Sequence, residues 1–281
     1  MRLATIRHDG GHRAARLDGE ELVLLDGIED VGALLASGAG WRERAAAAGG
    51  EAIAVGDARF APLVPRPEKI FCVGLNYHTH AAEADLAAPE HPVLFAKFSR
   101  ALIGAQDDIV LPASSSQVDW EVELTVVIGA PLRHAAPDEV QAGIAGYTIA
   151  NDVSMRDWQT RTSEFLAGKT FEASTPLGPY LVTSDEVADS GDLEMELTVD
   201  GQVRQRESTA GMIFGVDHLV SDISSIITLM PGDLILTGTC AGVGHCMSPR
   251  QYLEPGSVVQ ATIERLGSQS NRCVSEHEVT K

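Results

Sequence analysis

Between Val118 and Ile128 apolar and polar positions alternate: Trp120, Val122, Leu124 and Val126 stand between Asp119, Glu121, Glu123 and Thr125. A period of two marks a β-strand, whose side chains point alternately to opposite faces. The pattern predicts a strand over 120–128 with one apolar face and one face carrying both glutamates. Shorter apolar runs predict strands at 70–74, 92–97, 143–150, 193–199, 233–237 and 257–264. Pro231-Gly232-Asp233 and Glu254-Pro255-Gly256 supply turns before two of them, and Asp200-Gly201 reads as a hairpin turn. The clearest helix in the middle of the chain is expected over Ser154 to Leu166.

The first 66 residues read as a small separate unit. Leu3–Ile6, Arg13–Leu17 and Glu21–Leu25 are strand candidates separated by Asp9-Gly10-Gly11 and Asp18-Gly19. Helical segments are expected near 30–37 and 41–48. Pro62-Leu63-Val64-Pro65-Arg66-Pro67 makes a stiff connection. It suggests a small N-terminal domain over 1–66 and a second domain over 67–281. Residues from about 275 onward are polar and read as a loose tail.

The chain of 281 residues is 44% hydrophobic and 22% charged, an ordinary globular composition with room for a substantial core. No run of about 18 uncharged apolar residues exists, so no membrane span is expected. The start, Met1 to Arg7, lacks the apolar core of a signal peptide, which leads us to expect a cytoplasmic protein. A net charge of −19 argues against a nucleic-acid partner, whose backbone it would repel. Cys72, Cys240, Cys246 and Cys273 form no C-x-x-C pair and read as free thiols; His245-Cys246 near Cys240 fits no standard zinc spacing.

Glu121 and Glu123 on one face repel each other unless something positive lies between them. A hard divalent cation would serve, because oxygen ligands suit Mg²⁺, Ca²⁺ and Mn²⁺. A solvated strand face would also carry two glutamates, since charged residues are mostly exposed. His80 and Glu83 stand three residues apart at the start of a helix, on one face. A carboxylate beside an imidazole orients it as a base. Asp152 sits where a strand ends and a helix begins, as an N-cap or as the third carboxylate of a metal site. Arg156 and Gln159 follow on one side of that helix, and Lys169 lies in the loop after it. Leu236 to Gly244 holds three glycines and reads as a plain turn or as a loop whose N–H groups and Thr239 hydroxyl contact an anionic substrate.

In order along the chain come Gly74-Leu75-Asn76-Tyr77, His80 with Glu83, Glu121-Val122-Glu123-Leu124, Asn151-Asp152-Val153-Ser154, Arg156-Asp157 with Gln159, Gly168-Lys169, Pro176-Leu177-Gly178-Pro179, Pro231-Gly232-Asp233 and Thr237-Gly238-Thr239. Taken together this series resembles the fumarylacetoacetate hydrolase family over about residues 69–274. The resemblance implies an α+β, mostly β fold: a mixed β-roll catalytic domain behind a small N-terminal domain, usually in a homodimer. It implies Mg²⁺ or Mn²⁺ held by Glu121, Glu123 and Asp152, and a His80–Glu83 dyad that activates water with Lys169 near the reacting carbonyl. It implies substrate contacts at Tyr77, Arg156, Gln159 and Thr239. The small-molecule substrate expected is a keto acid. The activity expected is hydrolysis of a C–C bond in an acylpyruvate of the fumarylpyruvate type, giving pyruvate and a carboxylic acid in aromatic or sugar-acid catabolism. The alternatives are a decarboxylase or isomerase acting on an oxaloacetate-type β-keto acid, and a metal-binding homologue without catalysis. Two positions depart from the family pattern, Glu172 for Asp and Cys240 for Pro, and either could reshape the substrate pocket.

Overall fold

The computed structural model describes residues 1–187 and 189–279. Its main feature is an eleven-stranded mixed sheet. In spatial order its path runs Ala52–Ala54, Glu21–Leu24, Gly11–Asp18, Arg2–His8, Thr175–Thr183, Ile144–Asn151, Val122–Ile128, Leu234–Leu236, Ile70–Gly74 and Val93–Ala96. Leu102–Ile103 joins it alongside Thr175–Thr183. A second sheet of five strands is ordered Gln202–Ser208, Glu194–Val199, Val258–Ile263, Gly267–Ser275 and Ile109–Leu111. The mostly β architecture expected from the sequence is the one found.

Every residue of Val122–Ile128 and of Ile144–Asn151 is buried, so these central strands are covered on both faces. Trp120, Val122, Leu124, Val126 and Ile128 enter one apolar cluster with Leu197, Val259 and Ile263 of the second sheet. Val127, on the opposite face, joins a cluster built from Leu3, Val31, Leu34, Leu35 and Trp41. Each fully buried Leu or Ile in these clusters contributes about 1.5–3 kcal/mol through apolar area removed from water. The N-terminal strands thus extend the main sheet, Arg2–His8 pairing with Thr175–Thr183, and their helices cover one of its faces.

Most strand expectations match to within one or two residues. The helix expected over Ser154 to Leu166 does not form as one element. Ser154–Met155 pairs instead with Val118–Asp119, and the helix that follows spans only Arg156–Gln159. Thr162 Oγ1 accepts from Glu164 N at 3.1 Å, one of the local side-chain bonds that compete with a helix. A second short helix, Leu166–Lys169, then folds back. Gly168 permits that return, because a Cβ there would meet Gln159 N at 2.4 Å. The longest helix is Val216–Ile226, whose buried Val216, Leu219, Val220 and Ile223 follow helical spacing. The expected tail is shorter than predicted: the last strand runs to Ser275 and a short helix spans Glu276–Val279, while Thr280 and Lys281 lie outside the described residues.

Candidate active site

The strand Ile70–Gly74 ends in a tight turn. Leu75 takes φ +54°, a left-handed value uncommon for a branched side chain. Asn76 locks the turn from below. Its Nδ2 donates to Thr237 O at 2.7 Å and its Oδ1 accepts from Phe214 N at 2.8 Å. The helix His78–Glu83 follows, and its last turn brings His80 Nδ1 to 2.7 Å from Glu83 Oε1. Glu83 Oε2 accepts from Gly242 N at 2.9 Å, so one carboxylate fixes both the imidazole and the glycine-rich loop.

Glu121 precedes the central strand and is held by its backbone: its N–H donates to Asn151 Oδ1 at 2.9 Å and its carbonyl accepts from Asp152 N at 2.8 Å. Glu123 lies two residues on, facing the same way. Each of Glu121, Glu123 and Asp152 offers an oxygen, and these oxygens lie within 4.8 Å of one another. All three residues are buried, which excludes the solvated-face alternative. Asp152 is not an N-cap; its carboxylate meets Lys97 Nζ at 2.6 Å and Lys169 Nζ at 2.8 Å. Lys169 also donates to Glu121 Oε2 at 2.5 Å. Arg156 donates from Nε to Asp119 Oδ2 at 2.8 Å and from Nη1 to Gln159 Oε1 at 2.9 Å. Its Nη2 stands 2.7 Å from Glu121 Oε1, an ion pair by proximity without an aligned hydrogen bond.

The electrostatics of this cluster are uneven. Asp119, Glu121, Glu123 and Asp152 face Lys97, Arg156 and Lys169, all buried, so one negative charge is in excess when every group is ionised. Burial pushes the Glu121 carboxyl up, but Lys169 and Arg156 outweigh it and hold it at about 2. Glu123 goes the other way: burial first, then Asp152 and Glu121, raise it well above the usual carboxylate range. Its acceptor bond from Gly238 N at 2.8 Å offsets only part of this. Burial disfavours the charges of Lys169 and Arg156, yet Asp152 and Glu121 on the first, and Asp119 and Glu121 on the second, more than restore them. Three converging carboxylates with uncompensated charge are the donor set that a hard divalent cation takes.

These groups open into a cavity of about 380 Å³ lined by His80, Glu121, Glu123, Arg156, Gln159, Lys169 and Thr239. Leu75, Leu86, Phe95, Phe165 and Val243 give it an extensive apolar wall. Tyr77 does not line it. The ring is fully buried, its hydroxyl 3.7 Å from Met195 Sδ, so the expected substrate contact is corrected to a packing role. Thr239 reaches the cavity, but its hydroxyl donates to Val122 O at 2.8 Å and accepts from Gln205 Nε2 at 2.8 Å; its proton is not free for a substrate anion. The two departures from the family pattern also stay outside the cavity lining. Glu172 is exposed and pairs with Arg100, and Cys240 is buried beneath the loop.

Lys97 and Asp119 escaped the sequence reading, and His245 entered it only as a zinc candidate. Lys97 ends an apolar run, Val93 to Ala96, and a lysine there must either reach solvent or find a buried partner. By alternation Asp119 shares the face of Glu121 and Glu123, which was a comparable signal.

A model of the family described as "Fumarylacetoacetate (FAA) hydrolase C-terminal" matches residues 69–274. The mitochondrial oxaloacetate tautomerase Fahd2a of Rattus norvegicus is 45% identical over 216 residues, covering 76% of this chain and 69% of its own. The solved structure of a fumarylacetoacetate hydrolase from psychrophilic Exiguobacterium antarcticum superposes with a TM-score of 0.87 at 31% identity, over 98% of this chain and all (100%) of that one. A maleylpyruvate hydrolase from Sphingobium sp. SYK-6, in complex with manganese(II) and pyruvate, gives 0.82 at 27% identity over 98% and 99% of the two chains.

Proposed function

The chain belongs to the fumarylacetoacetate hydrolase family, and on that premise we propose that it is a divalent-metal enzyme interconverting the keto and enol forms of a short keto dicarboxylic acid of the oxaloacetate type. One observation carries the reading: His80, held at Nδ1 by Glu83 at 2.7 Å, opens into the same cavity as Glu121, Glu123 and Lys169. Keto–enol exchange needs a base at one carbon and positive charge at the neighbouring oxygen. His80 moves the proton at carbon, with Glu83 holding Nδ1 and leaving Nε2 as the free ring nitrogen. Glu121, Glu123 and Asp152 would hold Mg²⁺ or Mn²⁺. When bound there, the ion polarises the keto oxygen and offsets negative charge developing on it. Lys169 spends two of its three donors on Glu121 and Asp152, and the third remains for a substrate oxygen. Phe95 and Phe165, edge to face at 5.9 Å, form part of the apolar wall on that side.

The apolar wall favours a second reading, hydrolysis of an acylpyruvate. Leu75, Leu86 and Val243 offer more contact than a four-carbon acid uses. In that reaction His80 takes the proton from water instead, and hydroxide attacks the distal carbonyl. The two separate in one assay. Freshly dissolved oxaloacetate and a panel of acylpyruvates are followed with Mg²⁺, with Mn²⁺ and with chelator, recording enol absorbance and pyruvate release. Accelerated enol–keto relaxation of oxaloacetate supports the tautomerase. Pyruvate release from acylpyruvates, with oxaloacetate left at its spontaneous rate, replaces it by the hydrolase. Pyruvate from oxaloacetate identifies a decarboxylase.

A further inference from the structure

Keto–enol exchange moves two protons, one at carbon and one at oxygen, and the His80–Glu83 dyad accounts for the first. Arg156 and Lys169 are donors only, and their protons are largely engaged, Arg156 by Asp119 and Gln159 and Lys169 by Glu121 and Asp152. Thr160, Thr162 and Ser163 line the cavity with hydroxyls that do not titrate near neutrality. The Cys246 thiol is raised by burial and then by Glu83. His245, on the same wall as Cys246, remains.

Its backbone is held closely. Gly244 sits where a Cβ would meet Gln251 O at 2.1 Å and the Trp120 ring at 2.8 Å, so only glycine fits. Asp119 accepts from Gly244 N at 2.7 Å and from His245 N at 3.0 Å. The imidazole is fixed in turn, with Nδ1 3.0 Å from Tyr252 Oη and Tyr252 Oη 3.3 Å from Gln117 Oε1. A tyrosine hydroxyl has one proton. A hydroxyl proton on the Gln117 side makes Tyr252 an acceptor, and that arrangement places the hydrogen on Nδ1 and the lone pair on Nε2. The charged and titratable groups acting on this ring are Arg250, Arg156 and Asp119, with Tyr252 on Nδ1. Burial first, then the two arginines, hold the imidazole below its ordinary value against the pull of Asp119. The ring is therefore a neutral base at neutral pH.

We infer that His245 is the second proton-transfer residue of this cavity, and that Tyr252 and Gln117 are the residues that orient it. The inference rests on the tautomerase reading. In the enol-to-keto direction the enol O–H bond breaks and its proton passes to Nε2 of His245. The O–H electron pair becomes the second bond of C=O, the C=C π pair moves to the neighbouring carbon, and that carbon takes the proton carried by His80. One proton leaves oxygen and one joins carbon. Exchange of both imidazoles with water resets the site, and the opposite direction reverses each transfer.

The test uses the Mg²⁺-loaded full chain and enol oxaloacetate, with ¹⁵N-histidine NMR of the same samples. His245→Gln and His245→Ala should lower kcat by about 10²-fold or more, within the range for losing a proton-transfer group, with a smaller change in KM. The pH limb due to His245 should disappear in both. Tyr252→Phe should retain more activity, because it frees the ring without removing it. The His245 signals should show a protonated Nδ1 and a bare Nε2. Glutamine can still donate to Tyr252, so loss in His245→Gln is not loss of packing. A kcat within about twofold of wild type in His245→Gln, or a ring protonated at Nε2, overturns the assignment. A wild-type protein inert to oxaloacetate instead removes the substrate reading, and the ring nitrogens then decide the His245 assignment alone.

Discussion

Lys97 Nζ lies 2.6 Å from Asp152 Oδ1, and neither side chain is exposed. The same ammonium donates to the carbonyl of Lys169, so it ties the edge strand Val93–Ala96 to the helix that carries the other buried lysine. Leaving a buried ion with no partner costs about 3–5 kcal/mol. Asp152 keeps Lys169 at 2.8 Å, so Lys97→Met should lose stability in chelator, but less than that range. Mg²⁺ should restore part of it by supplying the missing positive charge. Urea unfolding with and without the ion measures both. Wild-type stability for Lys97→Met in chelator would show that the pair contributes nothing.

Glu121→Gln and Asp152→Asn each remove one anionic oxygen from the converging set. A hard cation is held chiefly by that charge, so both should weaken Mg²⁺ binding and abolish turnover. Titration calorimetry on the two variants checks the ligand assignment. An affinity unchanged in both rejects it.

Strand alternation sufficed to put Glu121 and Glu123 on one face, because the period is fixed by backbone geometry and Trp120, Val122 and Leu124 claim the other. The same reasoning located Asp152 at a strand end and the dyad on one helix turn. Other features were not legible for physical reasons. The break after Gln159 depends on Ser154–Met155 pairing with Val118–Asp119, a contact between distant segments. The misplacement of Tyr77 comes from one helix start presenting neighbouring side chains in different directions, His80 to the cavity and Tyr77 to the core. Thr239 lies where the sequence suggested, yet its hydroxyl is engaged by Gln205, more than thirty residues away. The partners of Lys97 and Asp119 likewise come from other strands and loops. A buried ion's identity shows in the sequence more readily than the pairing that permits its burial.

The dyad makes a prediction that separates the two chemistries. His80→Ala should cut tautomerisation by roughly 10²–10⁴-fold, the usual effect of removing a general base. Glu83→Gln should cost less. Its amide oxygen can keep the bond from Gly242 N while the hold on the imidazole weakens. If His80 serves only to make hydroxide, His80→Ala should cost acylpyruvate hydrolysis far more than any oxaloacetate activity. Steady-state rates of both variants on both substrates decide this; equal loss on both would mean that His80 does more than activate water.

Glu123 predicts how cation binding depends on pH. Burial, Asp152 and Glu121 raise its carboxyl well above the ordinary range, so without the ion it holds a proton that the unfolded chain has already lost above about 4.3. A raised acid works against stability as pH climbs. The chelated protein should lose this contribution from the unfolded value upward, and the loss should level off beyond the folded value. A cation can use Glu123 only as carboxylate, so binding must expel the proton. Mg²⁺ affinity should therefore rise with pH over that window, with release approaching about one proton per ion. The stabilisation by Mg²⁺ should grow in step. Calorimetry in buffers of different ionisation enthalpy counts the protons, and thermal unfolding with and without Mg²⁺ follows the stability. Glu123→Gln should bind more weakly and release none from this position. Binding without proton release anywhere from about pH 5 to about pH 8 would mean that Glu123 is already ionised in the folded protein, with the excess negative charge of the cluster standing uncompensated.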